Sequence, residues 1–478
     1  MSLNLATLSG GTATIAPETV EALKARVRGA VLTSGDDGYD AVRSVWNAMI
    51  DRRPALIVRC AGAGDVKAAV DFAREAGAVL SVRGGGHNIA GSGVCDGGVT
   101  IDLSSMKSVR VDPFARLARV EPGVTLGEFD RECQAFGLVT PVGINSTTGI
   151  AGLTLGGGFG WISRKYGLTV DNLVGADVVI ADGSLVHASE NDHPDLFWAI
   201  RGGGGNFGIV TSFEYRLHQL GPQVISGLLV YPLSEAKPLL RRYREIMAAA
   251  PDELSCWVVM RAAPPLPFLP KEVHGTGIVA FAACYAGPME AAEAAVASLR
   301  AMGTPIADVI GPHPYTGWQA ALDPLLTPGA RNYWKSHSFT TLNDGAIETL
   351  VDFAGKLPSP ECELACAQLG GAINRVPPDA TAYPHRDIGY VVNMHARWRD
   401  PADDGACIGW ARSLFEACKP FATGGVYVNF MPEEERDRVP NAYLGNERRL
   451  ANLKATYDPR NLFRINQNIR PVVSGSPC

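Results

Sequence analysis

Three glycines stand directly before a histidine in the run R-G-G-G-H-N, residues 83–88, at the end of an apolar stretch. Glycine removes the Cβ that blocks close approach of the backbone, so such a run suits contact with something flat or anionic. The neutral imidazole of His87 is in addition a competent nucleophile near pH 7. Two more glycine clusters follow, A-G-L-T-L-G-G-G-F-G-W at 151–161 and R-G-G-G-G-N-F-G at 201–208. Gly203, Gly205 and Gly208 satisfy the spacing G-x-G-x-x-G, but a dinucleotide fingerprint follows a strand and opens a helix. Here the preceding P-D-L-F-W-A-I has a helical pattern and the following I-V-T-S-F-E-Y-R-L alternates as a strand, so context rejects a Rossmann site. Glycine clusters in separate loops instead fit one large cofactor laid against backbone from several sides, with amides cradling a pyrophosphate.

The elements that must position these clusters change character along the chain. With 478 residues and 46% hydrophobic content the chain is large enough for two domains with separate cores. Residues 55–86 predict strand, helix, strand, a β-α-β unit with Val66, Ala69, Val70 and Ala73 on one helix face. G-V-T-I-D-L and S-V-R-V-D-P-F-A-R-L-A-R-V read as short strands, and L-V-G-A-D-V-V-I-A-D-G-S-L-V-H-A-S as a hairpin around Asp182-Gly183. From about residue 222, longer strands alternate with amphipathic helices, predicting helices over one face of a mostly antiparallel sheet, with the Pro-rich A-P-P-L-P-F-L-P-K-E-V as a loop within it. The fold class is therefore α+β.

Charge and composition exclude several partners. A formal net charge of −6 without a basic stripe argues against nucleic acid. No apolar run approaches the ~18–20 residues of a membrane span, and the N-terminal stretch lacks the features of a leader, so the expected location is the cytoplasm. Ten cysteines form no zinc-like double pair and read as core thiols, Cys362 and Cys366 sharing one side of either a helix or a strand. No metal site is expected.

Four runs carry a resemblance: S-V-R-G-G-G-H-N-I-A-G-S-G-V, G-I-A-G-L-T-L-G-G-G-F-G-W-I-S-R-K-Y-G-L-T-V-D-N-L-V-G-A-D-V-V, F-W-A-I-R-G-G-G-G-N-F-G-I-V-T-S-F-E-Y-R-L and Y-D-P-R-N-L-F-R-I-N-Q-N-I-R-P. In order and spacing, with T-A-Y-P-H-R-D and Y-V-N-F between them, they resemble the berberine bridge enzyme-like branch of the vanillyl-alcohol oxidase flavoproteins, from about residue 40 to 471. The resemblance implies a PCMH-type FAD-binding domain over 1–217, a substrate domain over 218–420 built on a seven-stranded antiparallel sheet with helices on one side, and a C-terminal segment, 421–478, returning to the FAD-binding domain. It also implies that His87 is bonded covalently to the flavin 8α-methyl carbon. The other implied FAD contacts are Arg83, Gly84, Gly85, Gly86, Asn88, Ser92, Asn145, Thr147, Thr148, Gly149, Gly152, Gly156, Gly160, Ile209, Val210, Asn429, Asn466 and Asn468.

Three departures qualify the resemblance. Asn145 stands where many members carry a cysteine for a second flavin bond, so a single bond is expected. Y-V-N-F ends in Phe430 where many members have a tyrosine base, and a phenyl ring takes no proton. Read as a strand, this run points Tyr427 and Asn429 one way and Val428 and Phe430 the other, so Tyr427 is no simple stand-in. Replacement candidates come from Y-V-V-N-M-H-A-R-W, where Asn393 and His395 share a face and His395 titrates near neutrality. Lys335 and Tyr443 are weaker candidates for that base, since long polar side chains more often lie at the surface or line a pocket wall. Ile150 occupies the position that in the family gates oxygen, where valine accompanies oxidases and bulkier residues dehydrogenases.

The expected activity is that of an FAD-dependent oxidase: hydride moves from a carbon bearing oxygen or nitrogen in a small organic or secondary-metabolite substrate to flavin N5, and O₂ reoxidises the flavin. Without the tyrosine, amine oxidation or tailoring of an aromatic or polyketide metabolite fits better than sugar-alcohol oxidation. A dehydrogenase using another acceptor and a non-catalytic flavin-bearing binding protein are the alternatives. The substrate-domain sheet offers a face for a homo-oligomer.

Overall fold

The computed structural model describes residues 2–472, and three sheets organise them. In the first, Leu56–Arg59 and Leu80–Arg83 both run parallel to Val99–Asp102, with Ala30–Leu32 antiparallel at one edge. The β-α-β unit is present and its helix Ala63–Glu75 buries Val66, Ala69, Val70 and Ala73. Its two strands are nevertheless not neighbours, because Val99–Asp102 inserts between them. That strand is buried along its whole length, the environment of a central parallel strand.

The second sheet is antiparallel, in the order Leu185–Ser189, Leu173–Val179, Ile209–Arg216, Leu117–Val120, Val109–Asp112. Its first hairpin turns at Asp182-Gly183 as expected, with Gly183 at φ 87°.

The third sheet is antiparallel and runs Ala307–Asp308, Gln223–Pro232, Gly277–Tyr285, Leu254–Ala262, Glu363–Gln368, Tyr390–Trp398, Arg331–Phe339. An eighth strand, Gly311–Pro314, also pairs with Gln223–Pro232. The expected count of seven falls short because this ten-residue strand divides its free edge between two short partners. The Pro-rich run connects Leu254–Ala262 to Gly277–Tyr285 as a loop containing one short 3₁₀ turn.

Helices Ala236–Ala248, Ala292–Arg300, Asp344–Ala354 and Asp404–Cys418 cover one face of the third sheet. Leu239, Tyr243, Leu299, Leu350 and Leu414 from these helices share a core with Leu229, Val258, Phe281, Leu364 and Met394 from the strands. Each such side chain contributes roughly 1.5–3 kcal/mol by leaving water. The opposite face carries Trp257, Ala367 and Val391, which join Phe159, Trp161 and Tyr427 in a different cluster. After residue 425 the chain packs back on the second sheet through Val426, Met431, Tyr443 and Leu450.

Nine cysteines are free and buried, with Cys362 and Cys366 in one core cluster and Cys366 in a strand; Cys478 lies outside the described residues. Among the described residues no group of side chains is arranged to hold a metal, and no helix is long and apolar enough to cross a membrane.

Candidate active site

A cavity of about 360 Å³ lies between the uncovered face of the third sheet and the glycine-bearing loops of the first two. Register decides what the sheet presents to it. Arg261 pairs with Glu363, Glu363 with His395 and His395 with Trp334, so four neighbouring strands set these residues in one row. The next row toward the interior holds Val259, Ala365, Asn393 and Ser336. Because side chains alternate along a strand, Asn393 and His395 face the cavity as expected while Val392 and Met394 hold the helices. Lys335, one residue from Trp334, falls on the helix side, in an ion pair with Glu435 at 2.7 Å; it is absent from the cavity wall.

The row is tightly partnered. Arg261 Nη1 donates to Glu363 Oε2 at 2.6 Å, and His395 Nδ1 lies 3.2 Å from Glu363 Oε1. His395 Nε2 lies 3.0 Å from Asn332 Oδ1, which also accepts from Arg397 at 3.3 Å. Burial pushes the Glu363 carboxyl up, but the positive charge of Arg261 and the contact with His395 hold it down at about 2. Burial pushes the His395 imidazole below its ordinary value. Both ring nitrogens of His395 thus lie against side-chain oxygens of the sheet, Nδ1 against Glu363 and Nε2 against Asn332.

Tyr427 is arranged differently from expectation. Residues Val428–Phe430 form a 3₁₀ turn rather than a strand, so Tyr427, Val428, Asn429 and Phe430 all line the cavity. Tertiary contacts override the β-propensity of the run: Phe430 wedges against Tyr427 at 4.9 Å and Trp334 at 5.4 Å between ring centroids. Tyr427 Oη accepts from the Gly158 amide at 3.2 Å and from Asn429 Nδ2 at 2.9 Å. Asn429 Nδ2 also donates to Leu153 O, which fixes its orientation, and no described residue accepts the Tyr427 proton. Burial raises the phenol to about 12 despite both bonds, so it is neutral at physiological pH.

His87 stands at the other side of the cavity. The Trp46 ring stacks on it at 5.3 Å and 19°, and Thr147 Oγ1 lies 3.1 Å from its Nε2. Burial pushes this imidazole down to about 4, so it is neutral at pH 7. None of the backbone amides from Gly84 to Asn88 donates to a described residue. Gly86 sits at φ 72°, which glycine adopts without strain.

Comparison with known proteins settles the family. A family model described as an FAD binding domain matches residues 54–189, and one described as "Berberine and berberine like" matches 426–470. An FAD-linked oxidoreductase of Dictyostelium discoideum is 31% identical over 93% of this chain and 95% of its own. The (R)-6-hydroxynicotine oxidase of Paenarthrobacter nicotinovorans is 31% identical over 93% of this chain and 97% of its own. The crystal structure of 6-hydroxy-D-nicotine oxidase from Arthrobacter nicotinovorans superposes with a TM-score of 0.84 at 31% identity, covering 93% of this chain and 98% of that one. The chain belongs to the berberine bridge enzyme-like FAD-linked oxidoreductases.

As a berberine bridge enzyme-like protein it is an FAD-dependent oxidoreductase with the PCMH-type fold, and its cavity fits that cofactor. Residues 84–88 line the cavity with backbone amides that no described residue takes up, which leaves donors for a pyrophosphate. A Cβ built on Gly152 or Gly205, both cavity-lining, meets no atom within 4 Å, so each glycine keeps space clear. Asn466, which lines the same cavity, has a buried Oδ1 without a partner.

Most residues expected at the FAD line this cavity: Gly84, Gly85, Gly86, His87, Asn88, Ser92, Asn145, Thr148, Gly149, Gly152, Ile209, Val210, Asn429 and Asn466. Five expected contacts lie behind it. Arg83 turns away to Asp102 at 3.0 Å. Thr147 touches His87 from the rim. Gly156 backs onto Asn429 and Gly160 onto the Val142 carbonyl, where a Cβ would come within 2.2 and 2.0 Å respectively. Asn468 keeps a buried, unpartnered Oδ1 off the cavity lining. Ile150 is fully buried in the neighbouring core, while Tyr443 reaches the cavity near Gly204.

Sequence patterns did not single out Trp46, Trp257, Trp334 and Glu363, all of which line the cavity. Alternation in E-L-A-C-A-Q carries a signal for Glu363, since it shares a face with Ala365 and Ala367. Trp46 lies far from any motif and is brought in only by the fold.

Proposed function

We propose that this protein is an amine oxidase acting on flat aromatic or heteroaromatic substrates, with its flavin bonded once, through His87. Bound FAD supplies an acceptor for the hydride of the carbon next to nitrogen and returns the electrons to O₂ or another acceptor. The observation that carries the reading is that, with His87 taken up by the flavin, no other described residue lining the cavity offers a free base. His395 is engaged at both nitrogens, Glu363 at both oxygens, and Tyr427 is a neutral phenol. An alcohol needs its hydroxyl proton removed as hydride leaves, whereas a neutral amine drives that step with its own lone pair.

The walls supply the rest. Trp46, Trp334, Phe430, Tyr427, Phe159 and Trp257 form a continuous arc of ring contacts, with centroids 4.7–5.9 Å apart from one ring to the next. Such an arc holds a planar ring by stacking and excludes water around the reacting carbon. The Tyr427 hydroxyl, without an acceptor among the described residues, donates to the substrate heteroatom and orients it. Asn393, whose Oδ1 is buried and unpartnered, is the second polar contact. The relative named as an (R)-6-hydroxynicotine oxidase supports a nitrogen-bearing substrate.

The test has two parts. Intact mass under acid denaturation should exceed the polypeptide by one FAD, and His87→Ala should lose that mass. Anaerobic mixing with a panel of aromatic secondary and tertiary amines, aryl alcohols and aldoses should bleach the flavin fastest with an amine; faster bleaching by an aldose would overturn the substrate class. Oxygen uptake on reoxidation separates oxidase from dehydrogenase.

A further inference from the structure

We propose that Asn145 and Thr147 set the tautomer of His87 and thereby select Nδ1 as the nitrogen that bonds the flavin. This rests on the attachment proposed above and adds two positioning residues to it.

Counting protons along the chain of bonds fixes the tautomer. Asn145 Oδ1 lies 3.0 Å from the backbone amide of Thr147, which only donates, so the oxygen of that side chain faces Thr147. Thr147 Oγ1 lies 2.7 Å from the same oxygen. A carbonyl oxygen has no proton to give, so the hydroxyl donates to Asn145 and its one proton is spent. Oγ1 also lies 3.1 Å from His87 Nε2 and can now only accept there. Nε2 therefore carries the hydrogen. A neutral imidazole has one N–H, and burial keeps this one neutral, so the lone pair is on Nδ1, which bonds no described residue. Trp46, stacked on the ring, holds the plane in which that lone pair lies.

The attachment step balances in atoms and electrons. The Nδ1 lone pair forms a bond to the 8α carbon, which gives up one proton while the C–H electron pair passes into the isoalloxazine. The imidazole releases its Nε2 proton, so the isoalloxazine is reduced by two electrons and two protons, and dioxygen removes them as H₂O₂. In the alternative tautomer the Nδ1 position is a donor and the reaction has no nucleophile there. Asn145, standing where many relatives carry a cysteine, thus has a role of its own, because its carbonyl sets the direction of a two-bond relay ending on His87.

The experiment follows covalent flavin by denatured intact mass after FAD is added to apoprotein of the wild type and of Thr147→Val, Thr147→Ser and Asn145→Leu. Nuclear magnetic resonance of the isolated histidylflavin identifies the bonded nitrogen. The expected result is Nδ1 attachment in the wild type, rapid attachment in T147S, and at least tenfold slower attachment in T147V and N145L. Serine keeps the hydroxyl, so T147S is the control for disturbance of the loop. A T147V protein that attaches flavin at the wild-type rate, a T147S protein as slow as T147V, or an Nε2-linked flavin would each overturn the assignment. Wild-type flavin that washes off entirely in acid would overturn the attachment itself, an outcome distinct from all three.

Discussion

Gly85 and Gly149 lie backbone against backbone: a Cβ on Gly85 would sit 2.5 Å from the Gly149 nitrogen and Cα, and one on Gly149 2.5 Å from the Gly85 nitrogen. This contact fastens the loop carrying His87 to the loop carrying Asn145 and Thr147. Gly149→Ala must push two backbones apart and should cost about 3 kcal/mol, the upper end for an overpacked site. Gly152→Ala is the contrast, because its Cβ enters open cavity space within a helix. It should leave the urea midpoint of apoprotein unchanged or raised while weakening FAD binding; a G149A protein as stable as the wild type would show that the contact is slack.

Tyr427→Phe separates an orienting phenol from a base. Loss of one neutral hydrogen bond to substrate predicts about a tenfold fall in kcat/KM, on the order of 1 kcal/mol. Loss of a general base predicts a fall of roughly 10²–10⁴. Stopped-flow reduction should show the smaller effect, and the pH profile should follow the pKa of the substrate amine in both proteins, rising as the amine loses its proton.

Flavin attachment should report the depressed pKa of His87. Burial brings this imidazole to about 4, and only the neutral form is nucleophilic. The attachment rate should therefore be level from pH 8 to pH 5 and decline only as pH falls through about 4. A decline centred near 6.5 would mean the imidazole is ordinary.

Glu363 ties the cavity to acid stability. Its carboxyl is held at about 2 against an ordinary 4.5, so in this window the unfolded chain binds more protons than the folded one. The stability it confers is complete above about 4.5 and lost as pH falls toward 2, with a slope of at most ~1.4 kcal/mol per pH unit. Glu363→Gln should flatten that slope and, by leaving Arg261 buried without its carboxylate, lower stability at pH 7 by about 3 kcal/mol. Urea midpoints between pH 2.5 and 7 would measure both.

Much of this was legible in the sequence where signals are local. The glycine runs, the Asp182-Gly183 hairpin and the alternation that puts Asn393 beside His395 all depend on a few consecutive residues, and the fold follows them. Order in space was less legible. Nothing in residues 55–86 says that a strand from residue 99 will separate the two they contain. Y-V-N-F has the composition of a strand, yet Phe430 finds its partners, Trp334 and Phe159, in distant segments, and those contacts wind the backbone into a turn. The contacts of His395 are likewise invisible, since Asn332 and Glu363 reach it only through cross-strand register.

The alternation of the third sheet has an evolutionary consequence. Val392, Met394 and Leu364 anchor helices, while their neighbours Asn393, His395 and Glu363 meet the cavity. Side chains that choose a substrate and side chains that hold the domain together are thus interleaved but point opposite ways. A lineage can exchange the first set one codon at a time, keeping the second, and so acquire a new substrate without passing through an unfolded ancestor.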